Sequence, residues 1–442
     1  MIKYTRLFIT FLLAFIIVEA RAQSTATTSS PYSRYGIGDF SDQLFPQNIA
    51  MGGIATATNT IGSYNNVNLI NPASLGYIHL TVIDAGINTD FLTLKENGFG
   101  SEKNSNFKLS HIAFAMPITS RSAINLGLVP YSQVGYNYKQ TLSKGFGGSS
   151  SVDTNAVNYI YSGEGGLSKA FFGYGIALGR HLTVGANASY IFGNLKQLQS
   201  TEIPNLYGTL NSRIEQDNHV GGFNFDYGVQ YIFDFSAITH LTLGYSASVG
   251  NKINVQNSFI VSQYTYDSSG GQNNPADSVY NIQNPNAKLQ LPRINHYGFV
   301  YQKEGSFLVG ADFTTGNWSD FSMPGETQHL QNSKRINVGG SIIPNSNALN
   351  SYLALVDYRL GFIYEDTYLN INNVDIKRYA VTFGFGIPLP HDRASSAFYK
   401  VNFSAEVGKR GTLEGGLVQE NYVNLHLGFT LNDRWFQRFK FE

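Results

Sequence analysis

Residues Gly222 to Phe235 read GFNFDYGVQYIFDF and alternate strictly between two kinds of side chain. One parity is aromatic or aliphatic, beginning at Phe223, and the other carries small or polar residues such as Asn224 and Asp226. This period of two predicts a β-strand with one apolar and one polar face. The pattern outlasts the roughly six residues of a typical globular strand, and about 9–11 tilted residues cross a bilayer. From this stretch alone, a soluble β-protein and a membrane barrel are both open.

The N-terminus indicates export. A basic start is followed by an uncharged apolar run from Leu7 to Val18 and by the tripeptide Ala-Arg-Ala at 20–22. This order predicts a secretory signal peptide over residues 1–22. A membrane anchor helix fits less well, because the run is shorter than the ~20 residues that a helical span needs.

Composition narrows the classes of partner and site. The chain has no cysteine, and its 30 Lys and Arg balance its 30 Asp and Glu. It therefore lacks thiolate metal ligands and the basic excess that nucleic acid binding requires. After Val18 no apolar run is long enough for a helical span. A closed β-barrel is the other structure that can cross a membrane, because every backbone group must be paired in hydrocarbon.

Alternating segments recur along the rest of the chain. We place them near 79–95, 107–118, 122–138, 157–178, 180–195, 219–235, 240–258, 288–303, 305–318, 333–344, 351–366, 375–388, 396–410 and 419–431. Connections after the even-numbered segments are short, and most of those after the odd-numbered segments are longer and rich in Gly, Ser and Asn. Short periplasmic turns and long external loops are typical of outer-membrane barrels. We therefore predict an all-β, antiparallel transmembrane barrel of about 14 strands over residues 78–442, including a C-terminal tail.

Residues 23–77 have a different pattern. They are rich in Gly and Asn without sustained alternation, which predicts a flexible lead followed by a compact hatch inside the barrel. The stretch Asn71-Pro72-Ala73-Ser74-Leu75-Gly76 has the order of a single helical turn. Asparagine is a good N-cap, proline suits the first helical position and glycine ends a helix. A plain turn before the first strand is the simpler interpretation.

The sequence carries none of the common catalytic signatures. The sequence has no nucleophile elbow, zinc-protease motif, dinucleotide fingerprint or phosphate loop. No two of the nine histidines have a metal-ligand spacing. We predict no enzyme, no metal and no cofactor. A barrel hydrolase would need a lipid-facing Ser/His pair, which the sequence does not locate.

Several charged residues have the parity that points into the barrel. The candidates for a polar network in the lumen are Asp84, Asp226, Asp312, Asp357, Arg359 and Glu406. Buried charges must be paired, so a network that holds the hatch to the wall is one interpretation. A set of polar anchors beside a ligand pocket is the other.

Pro130 interrupts the third alternating segment. Proline has no N–H for a strand ladder and is usually confined to edges and bulges. It predicts either a local gap in the barrel wall or the point where the strand leaves the membrane.

The hatch region resembles a known family. Met51-Gly-Gly-Ile-Ala-Thr-Ala57, followed by the Asn71-Pro72-Ala73 motif before the first strand, is similar to the hatch of the FadL family of outer-membrane transporters. The stretch from Ser30 to Asp39 resembles the variant found in Bacteroidota outer-membrane proteins. The resemblance implies fourteen strands around an N-terminal hatch. It also implies uptake of hydrophobic small molecules such as long-chain fatty acids.

The resemblance further implies where such a protein acts and through which residues. Asn71, Pro72, Ala73 and Pro130 become candidates for ligand binding or gating. The expected location is the outer membrane, with the lipid bilayer, lipopolysaccharide, a hydrophobic ligand and other outer-membrane proteins as partners. The alternative function is a non-catalytic barrel subunit of a protein secretion or assembly complex, a role that relatives in Bacteroidota fill.

Overall fold

The structure is a computed structural model that describes residues 28–434 except 63, 143–155, 204–205, 207, 268, 270, 274–277, 326–328 and 391–396. The expected signal peptide, the start of the flexible lead and residues 435–442 of the tail lie outside the described residues. No helix in the described part of the chain is long and apolar enough to cross a membrane.

Fourteen antiparallel strands form the wall, which confirms the predicted fold class. The first six are β1 Thr81–Lys95, β2 Ser101–Thr119, β3 Ser122–Leu142, β4 Val157–Leu178, β5 Leu182–Glu202 and β6 Asn211–Ser236. Two interrupted strands follow, β7 with pieces Thr239–Ser248 and Lys252–Tyr264, and β8 with pieces Ser278–Gln290 and Ile294–Lys303. The last six are β9 Phe307–Gly316, β10 Ser333–Ile342, β11 Asp357–Ile371, β12 Val374–Pro388, β13 Phe398–Arg410 and β14 Gln419–Asp433. Pairing of β14 with β1 closes the barrel.

Lipid and lumen impose the alternation seen in the sequence. On β6 the side chain of Phe223 is 61% exposed on the outer face, whereas Asn224 beside it is 1% exposed. The same contrast holds for Tyr227 at 47% and Gln230 at 0%. Outward apolar side chains meet hydrocarbon, and inward polar ones hydrogen-bond inside the barrel.

The hatch runs down the lumen from one end of the barrel to the other. It contains a 3₁₀ turn at Pro31–Arg34, one α-helical turn at Pro46–Ile49 and a 3₁₀ turn at Pro72–Tyr77. The hydroxyl of Tyr32 donates to the Val418 carbonyl beside the start of β14. At the opposite end, Pro72–Tyr77 packs against the wall strands β4 and β5. The first barrel strand begins directly after this turn.

The two ends of the barrel differ. At one end, which we call the short-turn end, β4 and β5 join through Gly179 to His181, and β6 and β7 join through Ala237 and Ile238. At the long-loop end most connections are longer, although β11 and β12 join through Asn372 and Asn373 alone, both at positive φ. Asparagine tolerates this left-handed conformation, as a two-residue hairpin turn requires.

Single-cysteine labelling tests which end faces outward. Because the chain has no native cysteine, Glu414→Cys at the long-loop end and Asn347→Cys at the short-turn end each introduce a unique thiol. A membrane-impermeant maleimide should label Glu414→Cys in intact cells and Asn347→Cys only after the outer membrane is opened. Labelling of both in intact cells would contradict the predicted orientation. The positions Gly148 and Gly270, which also belong to predicted external loops, lie outside the described residues.

Candidate functional site

Glycines on the inner wall let the hatch backbone approach unusually closely. A Cβ atom at Gly361 would lie 2.0 Å from the Gly52 nitrogen, and one at Gly339 would lie 2.2 Å from the Met51 carbonyl oxygen. A Cβ at Gly185 would lie 2.3 Å from the Pro72 oxygen. Only glycine has no Cβ, so these positions fit the hatch to the wall backbone against backbone.

Asn71 ties the hatch to the wall as well as capping its own turn. It is fully buried, and its side-chain oxygen accepts from the Ala73 N–H at 3.1 Å. Its amide nitrogen donates to the Thr56 carbonyl at 2.7 Å and to the Val229 carbonyl on β6 at 3.2 Å. It also donates to the Tyr245 carbonyl on β7 at 3.4 Å, so the side chain joins two parts of the hatch and two barrel strands.

Asp312 on β9 is the second such tie. One of its carboxylate oxygens accepts from the Ala55 N–H at 2.7 Å and from the Thr56 N–H and hydroxyl, each at 2.8 Å. Three donors on one buried oxygen are strong, directional contacts. They hold the middle of the hatch against the wall.

Ion pairs join the hatch residue Asp42 to the wall strands β10 and β12. Arg378 on β12 contacts Glu406 at 2.7 Å, Glu365 at 3.2 Å and the hatch residue Asp42 at 3.3 Å. Arg335 on β10 contacts the same Asp42 carboxylate. Asp42 is therefore held between two guanidinium groups from two strands.

Other charges in the lumen form smaller groups. Asp357 is paired with Arg359 at 2.6 Å and with Lys400 at 3.1 Å, all three being buried. Asp226 is paired with Lys169 at 2.7 Å, and Lys169 also donates to Gln43 of the hatch at 2.8 Å.

Asp84 has partners on three sides. It contacts His111 at 2.9 Å and accepts from Gln47 of the hatch and from Thr430 on β14, each at 3.0 Å. Phe45 of the hatch stacks on the His111 ring with centroids 3.8 Å apart. No cluster of His, Asp and Glu able to hold a metal ion occurs among the residues that the structure describes.

A hydrophobic core occupies the lumen at the long-loop end. It joins Tyr32 and Ile37 of the hatch to Val134, Ile191 and other residues from opposite sides of the wall. The remaining members include Val220, Leu289, Trp318, Tyr368, Leu369, Ile376 and Leu417. Trp318 and Tyr368 stack with ring centroids 4.1 Å apart. The lumen is thus filled at the long-loop end by this core, which includes hatch residues, and towards the short-turn end by the rest of the hatch.

The wall opens on one side. The pairing of β2 with β3 runs only from Ile112–Leu128 to the short-turn end. Nearer the long-loop end, β2 pairs only with β1, whereas β3 pairs only with β4 and the hatch. Pro130 lies just past the last pair, beside a register shift in β3. Lys108 of β2 reaches across and donates to Gln133 of β3 at 2.8 Å.

A cleft lies behind this opening. It has about 1270 Å³ of empty space, open solvent included, and both Leu109 and Pro130 line it from the two sides of the gap. Its inner surface carries charged residues such as Asp42 and Arg378, together with His426. Both ring nitrogens of His426 lack a hydrogen-bond partner among the described residues. The cleft therefore joins a lipid-facing opening to a polar interior.

Comparison with known proteins identifies the family of this chain. A sequence model of the BamG family matches residues 1–442, the full length of the chain. The chain belongs to the BamG family. No curated protein sequence matches it.

Solved structures with the same fold include outer-membrane hydrocarbon channels. One is the P. putida toluene transporter TodX, with a TM-score of 0.56 and 15% identity over 88% of this chain and 98% of TodX. Another is the Ralstonia pickettii toluene transporter TbuX, with 0.53 and 16% over 88% and 98%. A Pseudomonas aeruginosa FadL homologue gives 0.54 and 13% over 89% and 98%. The FadL-like barrel predicted from sequence is confirmed, and at these identities the likeness concerns fold.

All the site residues predicted from sequence lie at the lumen or its opening in this BamG-family chain. Asn71, Pro72 and Ala73 lie in the hatch turn that packs against the wall near the short-turn end. Pro130 borders the side opening. The six predicted charged residues are all buried. Five of them reach the hatch directly or through one basic side chain, which for Asp357 is Lys400 over the Tyr64 ring; the others are Asp84, Asp226, Asp312 and Glu406. Their role in ligand binding stays a prediction.

The residues predicted from sequence did not include the basic partners Lys169, Arg335 and Arg378 or the hatch acid Asp42. Arg378 has the same strand parity as Thr382 and Gly384, so alternation could have placed it in the lumen. Asp42 lies in the irregular hatch, where no periodicity assigns a direction. Strand parity could therefore have located the wall residues of the polar network, but not its partner Asp42 in the hatch.

Adding one methyl group to the wall tests how tightly the hatch is seated in the BamG-family barrel. Gly361→Ala should destabilise the protein by about 1–3 kcal/mol, because the new Cβ overlaps the hatch backbone and neither side can move freely. Gly100→Ala is the matched control, since a Cβ there would have no neighbour within 4 Å. Urea unfolding in detergent and cleavage of the hatch by proteinase K measure the effect. Equal stability of the two variants would show that the hatch moves easily.

Proposed function

We propose that this BamG-family chain is a non-catalytic barrel subunit of an outer-membrane protein assembly complex. The observation that carries the proposal is the occupied lumen, with the hatch seated on wall glycines at one end and a hydrophobic core at the other. The stretch from Ser30 to Asp39 supports it, because it resembles Bacteroidota outer-membrane proteins, among which such barrel subunits occur. A barrel filled in this way serves as a rigid body in the membrane.

The chemistry of the internal cavities supports the same role. Sites for hydrophobic ligands are lined mainly by apolar side chains with a few polar groups. The cavity beside the hatch contains paired charges, among them Asp42, Lys169, Asp226, Arg335 and Glu365, next to apolar side chains such as Ile294, Trp318 and Leu369. A hydrocarbon in this space would leave these charges without solvent and without new partners, which is costly. The paired charges favour a role in holding the hatch.

Isolation from native membranes tests the proposal. The chain, tagged at a long-loop position and extracted in mild detergent, should migrate as a stoichiometric complex with other outer-membrane proteins. A lipid extract of that complex, analysed by mass spectrometry, should contain no fatty acid or hydrocarbon in constant ratio to the chain. A monomer that carries a constant amount of such a ligand would overturn the proposal.

A second candidate function is uptake of hydrophobic small molecules such as long-chain fatty acids. The specific observation that favours it is the side opening between β2 and β3 at Pro130, which joins the membrane to the internal cleft. The structural neighbours TodX and TbuX, both toluene transporters, also favour it. In this role, a ligand would enter the cleft and leave sideways into the bilayer after a rearrangement of the hatch.

Two variants test uptake separately from binding. Pro130→Val restores a backbone N–H at the opening and should slow fatty-acid uptake without weakening ligand capture. Asn71→Ala removes the contacts of a hatch residue and should alter uptake while the barrel still assembles. Normal uptake in both variants would leave the assembly subunit as the function.

A further inference from the structure

One side of the barrel continues far beyond the membrane at the long-loop end. β6 is a strand of 26 residues, whereas about 9–11 tilted residues cross a bilayer. Pairing with its neighbours continues to its first residues, Asn211 with Tyr264 on β7 and Ser212 with Thr201 on β5. The outer parts of β3 to β8 therefore form a tall sheet, which we call the outer half-wall. Its last strand is the outer piece of β8.

The outer piece of β8 has one paired edge and one open edge. Its pairs with β7 run from Gln290–Lys252 to Ser278–Ser262. On the other edge Gln290 donates its N–H to the Ser322 carbonyl at 2.9 Å. Beyond this bond, no backbone partner for Val279 to Lys288 on that edge occurs among the described residues. The strand presents a row of unpaired backbone donors and acceptors.

The outer piece of β8 has a register shift at Val279 and another beside Pro285, and its open edge is unguarded between them. Natural edge strands are commonly guarded by charged side chains, bulges or proline. The segment Val279–Asn284 reads VYNIQN and carries no charge, and Pro285 marks its end. Val279, Tyr280 and Ile282 are 64%, 51% and 42% exposed. An uncharged segment of this length with β-branched and aromatic residues is a strong template for another strand.

Polar and aromatic contacts join the strands behind this edge. Tyr264 near the tip of β7 donates to Glu202 on β5, and Arg213 lies over the Tyr264 ring, 4.4 Å from its centroid. Burial, followed by the hydrogen bond to Glu202, raises the pKa of Tyr264, so the phenol keeps its proton. Tyr280 packs edge-on against Phe259. Ordered supporting strands reduce the conformational entropy that is lost when a partner binds.

We propose that Val279–Asn284 is a strand-addition site, where an extended segment of a partner protein joins the outer half-wall. The inference rests on the proposed function as an assembly subunit and names the form of the partner. The partner segment pairs through its backbone and places alternate apolar side chains beside Tyr280 and Ile282. Main-chain hydrogen bonds provide affinity in this mode of recognition, and side-chain contacts provide specificity.

A second copy of the chain does not fit this site as well. Two copies inserted the same way in one membrane form a closed dimer through a two-fold axis along the membrane normal. Barrel strands are tilted by about 35–45°, so this axis would cross two facing edge strands at about 70–90°. Strands in one sheet differ by only about 20–25°. The geometry therefore favours a different polypeptide.

Amide hydrogen exchange tests the site without any substitution. In the complex isolated from native membranes, the amides of Val279–Asn284 should exchange at least about tenfold more slowly than in the purified single chain, as expected for new backbone hydrogen bonds. The loop around Phe99, which is 75% exposed on the other side of the barrel, should exchange equally in both. Equal exchange of Val279–Asn284 in the two samples would overturn the inference.

A pair of charge substitutions provides the second arm. The double variant Tyr280→Lys and Ile282→Lys should reduce recovery of the complex at least tenfold, while heat-resistant folding of the barrel is unchanged, because lysine guards an edge. Phe99→Lys, a matched aromatic-to-lysine control, should recover the complex normally. Full recovery with the double variant contradicts the site. A photo-crosslinker at position 280 that joins two copies of the chain also contradicts it.

These results separate failure of the site from failure of the function. A complex that persists with an unprotected edge refutes the strand-addition site alone. A chain that is isolated only as a monomer refutes the assembly role and this inference together.

Discussion

Replacing Arg378 with methionine should lower the free energy of unfolding by about 3–5 kcal/mol, the largest single effect that we expect, because removing one partner of a buried ion cluster leaves uncompensated charge. The guanidinium group contacts Glu406, Glu365 and Asp42, whose side chains are between 6% and 20% exposed. Methionine keeps much of the volume and removes the charge. Three carboxylates then remain close together without this cation.

Lys377, which precedes Arg378 in the sequence, provides the control. Lys377 pairs with Asp366 at 3.6 Å, and both side chains are more than a third exposed. Lys377→Met should therefore change stability by less than about 1 kcal/mol. Urea unfolding of the purified barrel, followed by the fluorescence of the buried Trp318, compares the two variants. Similar midpoints for both would mean that the cluster contributes nothing to seating the hatch.

Placing arginine on the lipid face should produce the second largest effect. Val229→Arg on β6 should cost roughly 2–4 kcal/mol, the penalty for a basic side chain near the bilayer midplane. Val229 lies between the exposed residues Tyr227 and Tyr231 on the outward face and between the aromatic ends of the strand. The measurement is folding into phospholipid vesicles with reversible urea unfolding.

Depth dependence provides a matched control on the same strand and face. Phe235 lies next to the end of β6 at the short-turn end and is 66% exposed. For Phe235→Arg the depth-dependent cost of arginine should be only about 0–1 kcal/mol, because that side chain can reach the interface. Equal penalties at Val229 and Phe235 would contradict the assigned membrane position. Asp226→Asn is unsuitable as a neutral control, since it would leave the buried Lys169 without its carboxylate.

The membrane-spanning part of the fold was predictable from sequence for a local reason. Within the bilayer one face of each strand meets lipid and the other meets the lumen, so period-two alternation is imposed on every strand. The run from Gly222 to Phe235 shows it, and the observed outward residues are the aromatic ones. Alternation also placed Asp312 and Glu406 in the lumen.

The outer half-wall was less visible in the sequence. The predicted strands near 180–195 and 288–303 end well short of the observed bounds Leu182–Glu202 and Ser278–Lys303. Beyond the membrane, water can reach both faces of a strand, so the apolar and polar parities lose their contrast. Interruptions near Gly250 and Pro292 also divide two strands that the alternation predicted as single segments.

By itself, the sequence determined the class of the protein: a closed barrel, the lipid-facing residues, and an N-terminal hatch that ends in Asn71-Pro72-Ala73. These features depend on residues close together in the chain, where spacing alone carries the information. Only the tertiary structure decided which groups meet across the lumen. Asp42 meets Arg335 and Arg378, although nearly three hundred residues or more separate them in sequence. No local pattern encodes such contacts, because they exist only once the barrel has closed around the hatch.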